Sequence, residues 1–127
     1  MTDRAAQKAN KVYQDMQNLI IKLKQANYRI GLLSNVGEKG AKNIRKNGFY
    51  DPFDPVILSC EIGVSKPDPK AYLHLLTALQ VPAEKCIFID DKASNIDAAK
   101  ALHIDGIHYI SVEELVKELQ KRGINLE

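Results

Sequence analysis

Asp90 and Asp91 stand side by side at the end of an apolar run, Cys86-Ile-Phe-Ile89. Adjacent carboxylates repel, so one of them needs a cation or a shifted pKa. A divalent ion such as Mg²⁺, which takes few carboxylates and keeps many waters, suits the pair. Two other apolar runs end in groups of complementary chemistry. Tyr28–Leu33 runs into Ser34-Asn35, and Val56–Cys60 is followed after a short loop by Lys66. A hydroxyl, an amide, an ammonium and a metal-binding carboxylate together match a phosphoryl group, whose spread negative charge needs donors and cations. Each piece also has a plainer role: Asp-Asp as a turn and helix cap, Ser34-Asn35 as a cap, Lys66 as a solvated loop residue. One such strand end means little; three in one chain favour a common site.

For these groups to meet, their strands must run parallel with their carboxyl ends at one edge, where open α/β sheets place ligands. The patterning supports that arrangement. Val12, Met16, Leu19, Ile20 and Leu23 recur at helical spacing between Ala5 and Asn27, which predicts an amphipathic leading helix. A strand over Tyr28–Leu33 precedes a weak helix opened by Gly37 and Gly40 and stopped at Asn47-Gly48. The proline-rich stretch from Phe49 to Pro55 reads as a loop, and Val56–Cys60 as the next strand. Asp68 as N-cap and Pro69 as first helical residue start a helix with Tyr72, Leu73, Leu76 and Leu79 as its buried stripe. Cys86–Ile89 reads as a strand buried on both faces, and Lys92–Leu102 as a turn and helix. Gly106–Ile110 is the last strand; Ser111 and Glu114 form a capping box for a final helix ended by Gly123.

The chain is thus expected to be one α/β domain over 1–127: a leading helix over 1–27, then four strand–helix units over 28–127. Such repetition implies a parallel sheet with helices on both faces and right-handed crossovers. With 127 residues, 45% hydrophobic and 27% charged, the composition is that of a soluble globular domain. A formal net charge of +2 argues against nucleic acid or an anionic membrane surface as partner. No apolar run reaches the ~20 residues of a membrane span. Cys60 and Cys86 lie in strand-like runs and read as buried free thiols, which fits a reducing cytoplasm. His74, His103 and His108 share no metal-ligand spacing and read as structural or surface residues.

Taken in order, Leu32-Leu33-Ser34-Asn35, Gly63-Val64-Ser65-Lys66-Pro67-Asp68-Pro69 and Phe88-Ile89-Asp90-Asp91, with Asn95 and Ala98-Ala99, resemble three motifs of the haloacid dehalogenase superfamily. They match its second, third and fourth motifs, in the branch whose fourth motif is Asp-Asp, and the resemblance runs from about Gln17 to Tyr109. It implies a Rossmann-like fold and Mg²⁺-dependent hydrolysis of a small phosphorylated substrate. By the same resemblance Ser34 and Asn35 bind phosphoryl or carboxylate oxygens. Lys66 is the catalytic residue that orients the nucleophile and neutralises charge. Asp91 ligates Mg²⁺, with Asp90 supporting it and Asn95 behind them.

The family's first motif has no counterpart here. It is an apolar strand ending in a nucleophilic Asp, with an acid/base Asp two residues later. The carboxylates before Tyr28 include Asp3 and Asp15, neither of which follows a strand-like run. The resemblance places the missing strand mid-sheet, between those at Tyr28 and Cys86, so its neighbours each lose a ladder partner. The isolated chain is therefore expected to be inactive. A complementing N-terminal segment or a homodimer would close the sheet. The alternative is a non-catalytic binding or oligomerisation module. A receiver-type signalling domain is disfavoured, because its acidic pair comes on the first strand and its Lys-Pro near the end, the reverse of the order here.

Overall fold

A computed structural model describes residues 4–126, with side chains from Lys11 onward except Val12. The leading helix α1 covers Arg4–Gln25. Of its expected apolar stripe, Leu19 and Ile20 are buried and Met16 and Leu23 pack against the core; the side chain of Val12 lies outside the described residues. The chain continues through β1 (Leu32–Ser34), α2 (Glu38–Lys46), β2 (Val56–Leu58), the single-turn α3 (Ser59–Ile62) and α4 (Pro69–Leu79). It ends with β3 (Ile87–Asp90), α5 (Ala93–Ala101), β4 (Asp105–His108) and α6 (Val112–Lys121).

The cap chemistry sets several of these boundaries. The Asp68 carboxylate accepts the Lys70 N–H at 2.9 Å, and Pro69 fills the first turn of α4, where its missing N–H costs nothing. Ser111 Oγ accepts the Glu114 N–H at 3.1 Å and starts α6. Asn47 closes α2 with its backbone N–H on Asn43 and Ile44.

The fold is α/β, and both faces of the strands are covered. Leu33 of β1 and Phe88 of β3 point into a core with Ala71 and Tyr72 of α4 and Ile96 and Ala99 of α5. On the opposite face Ile107 of β4 meets Leu19 of α1 and Leu115 and Leu119 of α6. Leu58 of β2 packs there on Ala41 and Ile44 of α2.

The strands do not form one sheet. β1 pairs in parallel with β2, Leu33 opposite Ile57, and β3 with β4, Phe88 opposite Ile107's neighbour Gly106. Among the described residues β1 and β3 are not hydrogen-bonded to each other, so each has one edge without a ladder partner. Yet Leu33 and Phe88 share a core, so the two half-sheets rest on the same helices. The expected loss of a central partner is what the ladders display.

Several local expectations need correction. The first strand begins at Leu32 rather than Tyr28, since residues 28–31 lie beyond the β1–β2 ladder. The second stops at Leu58, because Ser59 and Cys60 turn into α3. That turn exposes Cys60, while Cys86 is half-buried, so the two free thiols are not both interior. Leu73 is 49% exposed; of the expected stripe of α4, Tyr72 is fully buried, and Ala71 beside it is buried where Leu73 is not. Ile89, expected inside a doubly covered strand, is 38% exposed. It belongs to β3, whose edge toward β1 has no ladder partner among the described residues.

Candidate active site at the strand ends

The carboxyl ends of β1 and β3 bring the sequence-predicted polar groups to one rim. Lys66, in the turn between α3 and α4, donates from Nζ to Asp90 Oδ2 at 2.8 Å. The two side chains are only 12% and 7% exposed, so this ion pair is largely shielded from solvent. The Lys66 ammonium also lies 5.7 Å from the centroid of the Phe88 ring, a cation–π contact beneath the rim.

Asn35 fixes the backbone that carries this lysine. Its Nδ2 donates to the Lys66 carbonyl at 3.0 Å, and its Oδ1 accepts the Lys66 N–H at 2.9 Å. The Asn35 amide is thereby spent on the Lys66 turn. Next to it, the Ser34 hydroxyl makes no hydrogen bond to the described residues and is available at the end of β1.

Asp90 is held from several sides. Besides Lys66, Oδ2 accepts from Asn95 Nδ2 at 3.1 Å, and Oδ1 accepts the Lys92 N–H at 2.9 Å, a turn closed by the side chain of the strand's last residue. Burial alone would push the Asp90 carboxyl up. The Lys66 hydrogen bond and charge, the Lys92 amide and the Asn95 amide outweigh it and hold Asp90 below its ordinary value. Asn95 itself is 4% exposed, packed behind the pair.

Asp91 differs. It is exposed, and its carboxylate accepts no hydrogen bond from the described residues. Two adjacent carboxylates are thus split into one neutralised within the protein and one left outward. The outward oxygen donors suit a hard cation with few protein ligands, as Mg²⁺ is commonly held. Among the described residues there is no cluster of three or more His, Cys, Asp or Glu that could hold a metal ion.

Two residues make contacts at the site that their sequence positions did not suggest. Tyr72, fully buried, donates its hydroxyl to the Asn95 carbonyl at 2.7 Å and stacks edge-on to Phe88, with ring centroids 5.2 Å apart. Burial, and then the charge of Asp90, push its phenol up to about 12, so it is a neutral donor. A tyrosine on the apolar stripe of a helix gives no hint of this bond. His108 reaches the Asp91 carbonyl from the end of β4, which stops there rather than at the expected Ile110. Asp15 lies half-buried in α1, where its charge acts on Tyr109 just past β4, and Asp3 lies outside the described residues.

No helix among the described residues is long and apolar enough to cross a membrane. A family model described as haloacid dehalogenase-like hydrolase matches residues 2–103. A sesquiterpene phosphatase of Aspergillus oryzae is 31% identical over 94 residues, 73% of this chain and 48% of that protein. A phosphoglycolate phosphatase of Colwellia psychrerythraea is 30% identical over 97 residues, 76% of this chain and 43% of that protein. This chain therefore spans about half the length of these relatives, or less. Among solved structures, an uncharacterised protein of Corynebacterium glutamicum superposes with a TM-score of 0.76 at 26% identity, over 99% of this chain and 89% of that one. A HAD family enzyme of Bacteroides thetaiotaomicron in complex with magnesium and inorganic phosphate gives 0.67 at 28% identity, over 74% of this chain and 50% of that one. With its parallel strands clad by helices on both faces and a family match over most of its length, the chain belongs to the haloacid dehalogenase-like hydrolases.

Proposed function

We propose that this chain is the phosphate- and Mg²⁺-binding core of a phosphomonoester hydrolase. Its nucleophilic aspartate would come from a further strand seated between β1 and β3. The observation that carries the reading is the Lys66–Asp90 pair at the same rim as a free Ser34 hydroxyl and a free Asp91 carboxylate. The phosphatase names of its relatives and the magnesium and phosphate of a solved neighbour favour the same class. The two free cysteines suit a reducing cytoplasm.

In this reading Ser34 donates its hydroxyl to a phosphoryl oxygen. Asn35 acts through the Lys66 backbone, which it holds by two hydrogen bonds. The Lys66 ammonium supplies fixed positive charge where negative charge develops, and Phe88 and Asp90 keep it from swinging away. Asp91, with Asp90 and Asn95 behind it, would hold Mg²⁺, which on binding neutralises phosphoryl charge. Neither rim aspartate suits the nucleophile: Asp90 is spent on Lys66, and Asp91 is the outward cation ligand. The unpaired edges of β1 and β3 are where a strand ending in such an aspartate would fit, and a second copy of the chain is the other source of one.

One observation favours a non-catalytic binding module instead: Asp90 is held by Lys66 and Asn95, so once Asp91 is given to the cation neither rim aspartate is left to be phosphorylated. The test is hydrolysis of p-nitrophenyl phosphate with Mg²⁺, by the chain alone and with a peptide of five β-branched residues followed by Asp-x-Asp. The reading predicts no turnover alone and turnover with peptide that is lost in Asp91→Asn. Turnover by the chain alone would put the nucleophile inside it, and none under either condition favours the module.

A further inference from the structure

β4 lies against α5 more closely than a side chain would allow. A Cβ at Gly106 would stand 2.9 Å from Ile96 Cγ2 and 3.3 Å from Lys100 Cε, so the glycine permits the contact. Strand alternation puts His108 on the same face as Gly106, two residues nearer the rim. In the parallel ladder His108 is the partner of Asp90, and the Tyr109 N–H donates to the Asp90 carbonyl at 2.8 Å. The imidazole thus overhangs the turn between β3 and α5, where its Nε2 lies 2.8 Å from the Asp91 carbonyl oxygen. A carbonyl only accepts, so Nε2 carries the proton.

This bond falls on Asp91, whose own carboxylate makes no hydrogen bond to the described residues. Asp90 is fixed through its carboxylate by Lys66, Asn95 and the Lys92 N–H. The Asp91 carboxylate has no such support; the His108 bond instead fixes the carbonyl beside it, and so the backbone from which that carboxylate projects. We infer that His108 is a positioning residue: it clasps the Asp91 carbonyl so that the Asp91 carboxylate is aimed at a divalent cation. The inference rests on the Mg²⁺ reading of the rim given above. It requires a donor at Nε2 and no particular charge, so glutamine, whose amide nitrogen has similar reach, is the conservative replacement.

The experiment is a Mg²⁺ titration of the metal-free chain, followed by the backbone amide NMR signals of Asp91–Asn95, in the wild type, His108→Gln and His108→Leu. Loss of a hydrogen bond that orients a metal ligand weakens metal affinity by at least about tenfold. The expected result is a dissociation constant raised about that much in His108→Leu and restored to within about twofold by His108→Gln. Equal affinity in His108→Leu and wild type overturns the inference, as does a glutamine variant as weak as the leucine one. If Mg²⁺ moves no signal in the wild type, the metal reading itself has failed and takes the aiming role with it. The Asp91 carbonyl shift, read without metal, then tells separately whether the clasp forms in solution.

Discussion

Lys66 Nζ and Asp90 Oδ2 stand 2.8 Å apart although the residues are 24 positions apart in sequence and lie on different elements. The pair joins the turn before α4 to the end of β3, and Asn35 adds β1 to it through the Lys66 backbone. It links the two half-sheets at the rim without any ladder between them.

Removing one member strands the other. Lys66→Met leaves a carboxylate with 7% exposure unneutralised and is expected to cost about 3 kcal/mol, in the range for breaking a buried pair. Lys66→Met combined with Asp90→Leu should recover part of that loss, because no charge remains buried. Urea unfolding of the single and double variants measures both, and a double variant less stable than the single would contradict the assignment.

The same pair sets an acid limit. The folded-state pKa of Asp90 lies below its unfolded value, so below the ordinary carboxylate range the unfolded chain binds the extra proton. Its contribution is complete above about pH 4 and is lost as pH falls through the folded value. Asp105, held down chiefly by its Arg122 hydrogen bond, contributes with the same sign. Urea midpoints from pH 7 to pH 2.5 should fall only at the acid end, and the fall should be shallower in Asp90→Asn.

Asp91 makes no side-chain hydrogen bond, so Asp91→Asn should leave the unfolding midpoint within about 0.5 kcal/mol of wild type, as for surface substitutions generally. The same variant should lose Mg²⁺ binding. A large stability loss would mean that the carboxylate has a structural role in the fold.

Gly106→Ala tests how closely β4 and α5 approach. The added methyl meets Ile96, which is 3% exposed and has little room to yield. Overpacking of this kind is expected to cost about 1–3 kcal/mol, read by thermal or urea unfolding.

Much of this is legible in the sequence. Pro69 after Asp68, Ser111 before Glu114, and the apolar spacing of α1 each dictate a local structure through a named interaction. The rim was legible because strand ends announce themselves as apolar runs stopped by polar groups. Pairings across the fold were not. That Lys66 meets Asp90 rather than Asp91 depends on which of two adjacent aspartates faces α4, and that is fixed by the pleat of β3. Cys60 was misplaced for a related reason: an apolar run of five residues does not reveal that its last two turn into a helix. The buried hydroxyl of Tyr72 and the reach of His108 to the Asp91 carbonyl are tertiary facts with no local signature.

The central claim is that the ends of β1 and β3, with the Lys66 turn, form one site for a phosphoryl group and Mg²⁺. Its most direct test is backbone NMR of the ¹⁵N-labelled chain titrated with inorganic phosphate in the presence of Mg²⁺. Saturable shifts concentrated at Ser34, Asn35, Lys66 and Asp91, and absent in Asp91→Asn without Mg²⁺-dependent recovery, are the predicted result. Shifts that map elsewhere, or none at any phosphate concentration below the range of non-specific salt effects, would contradict it.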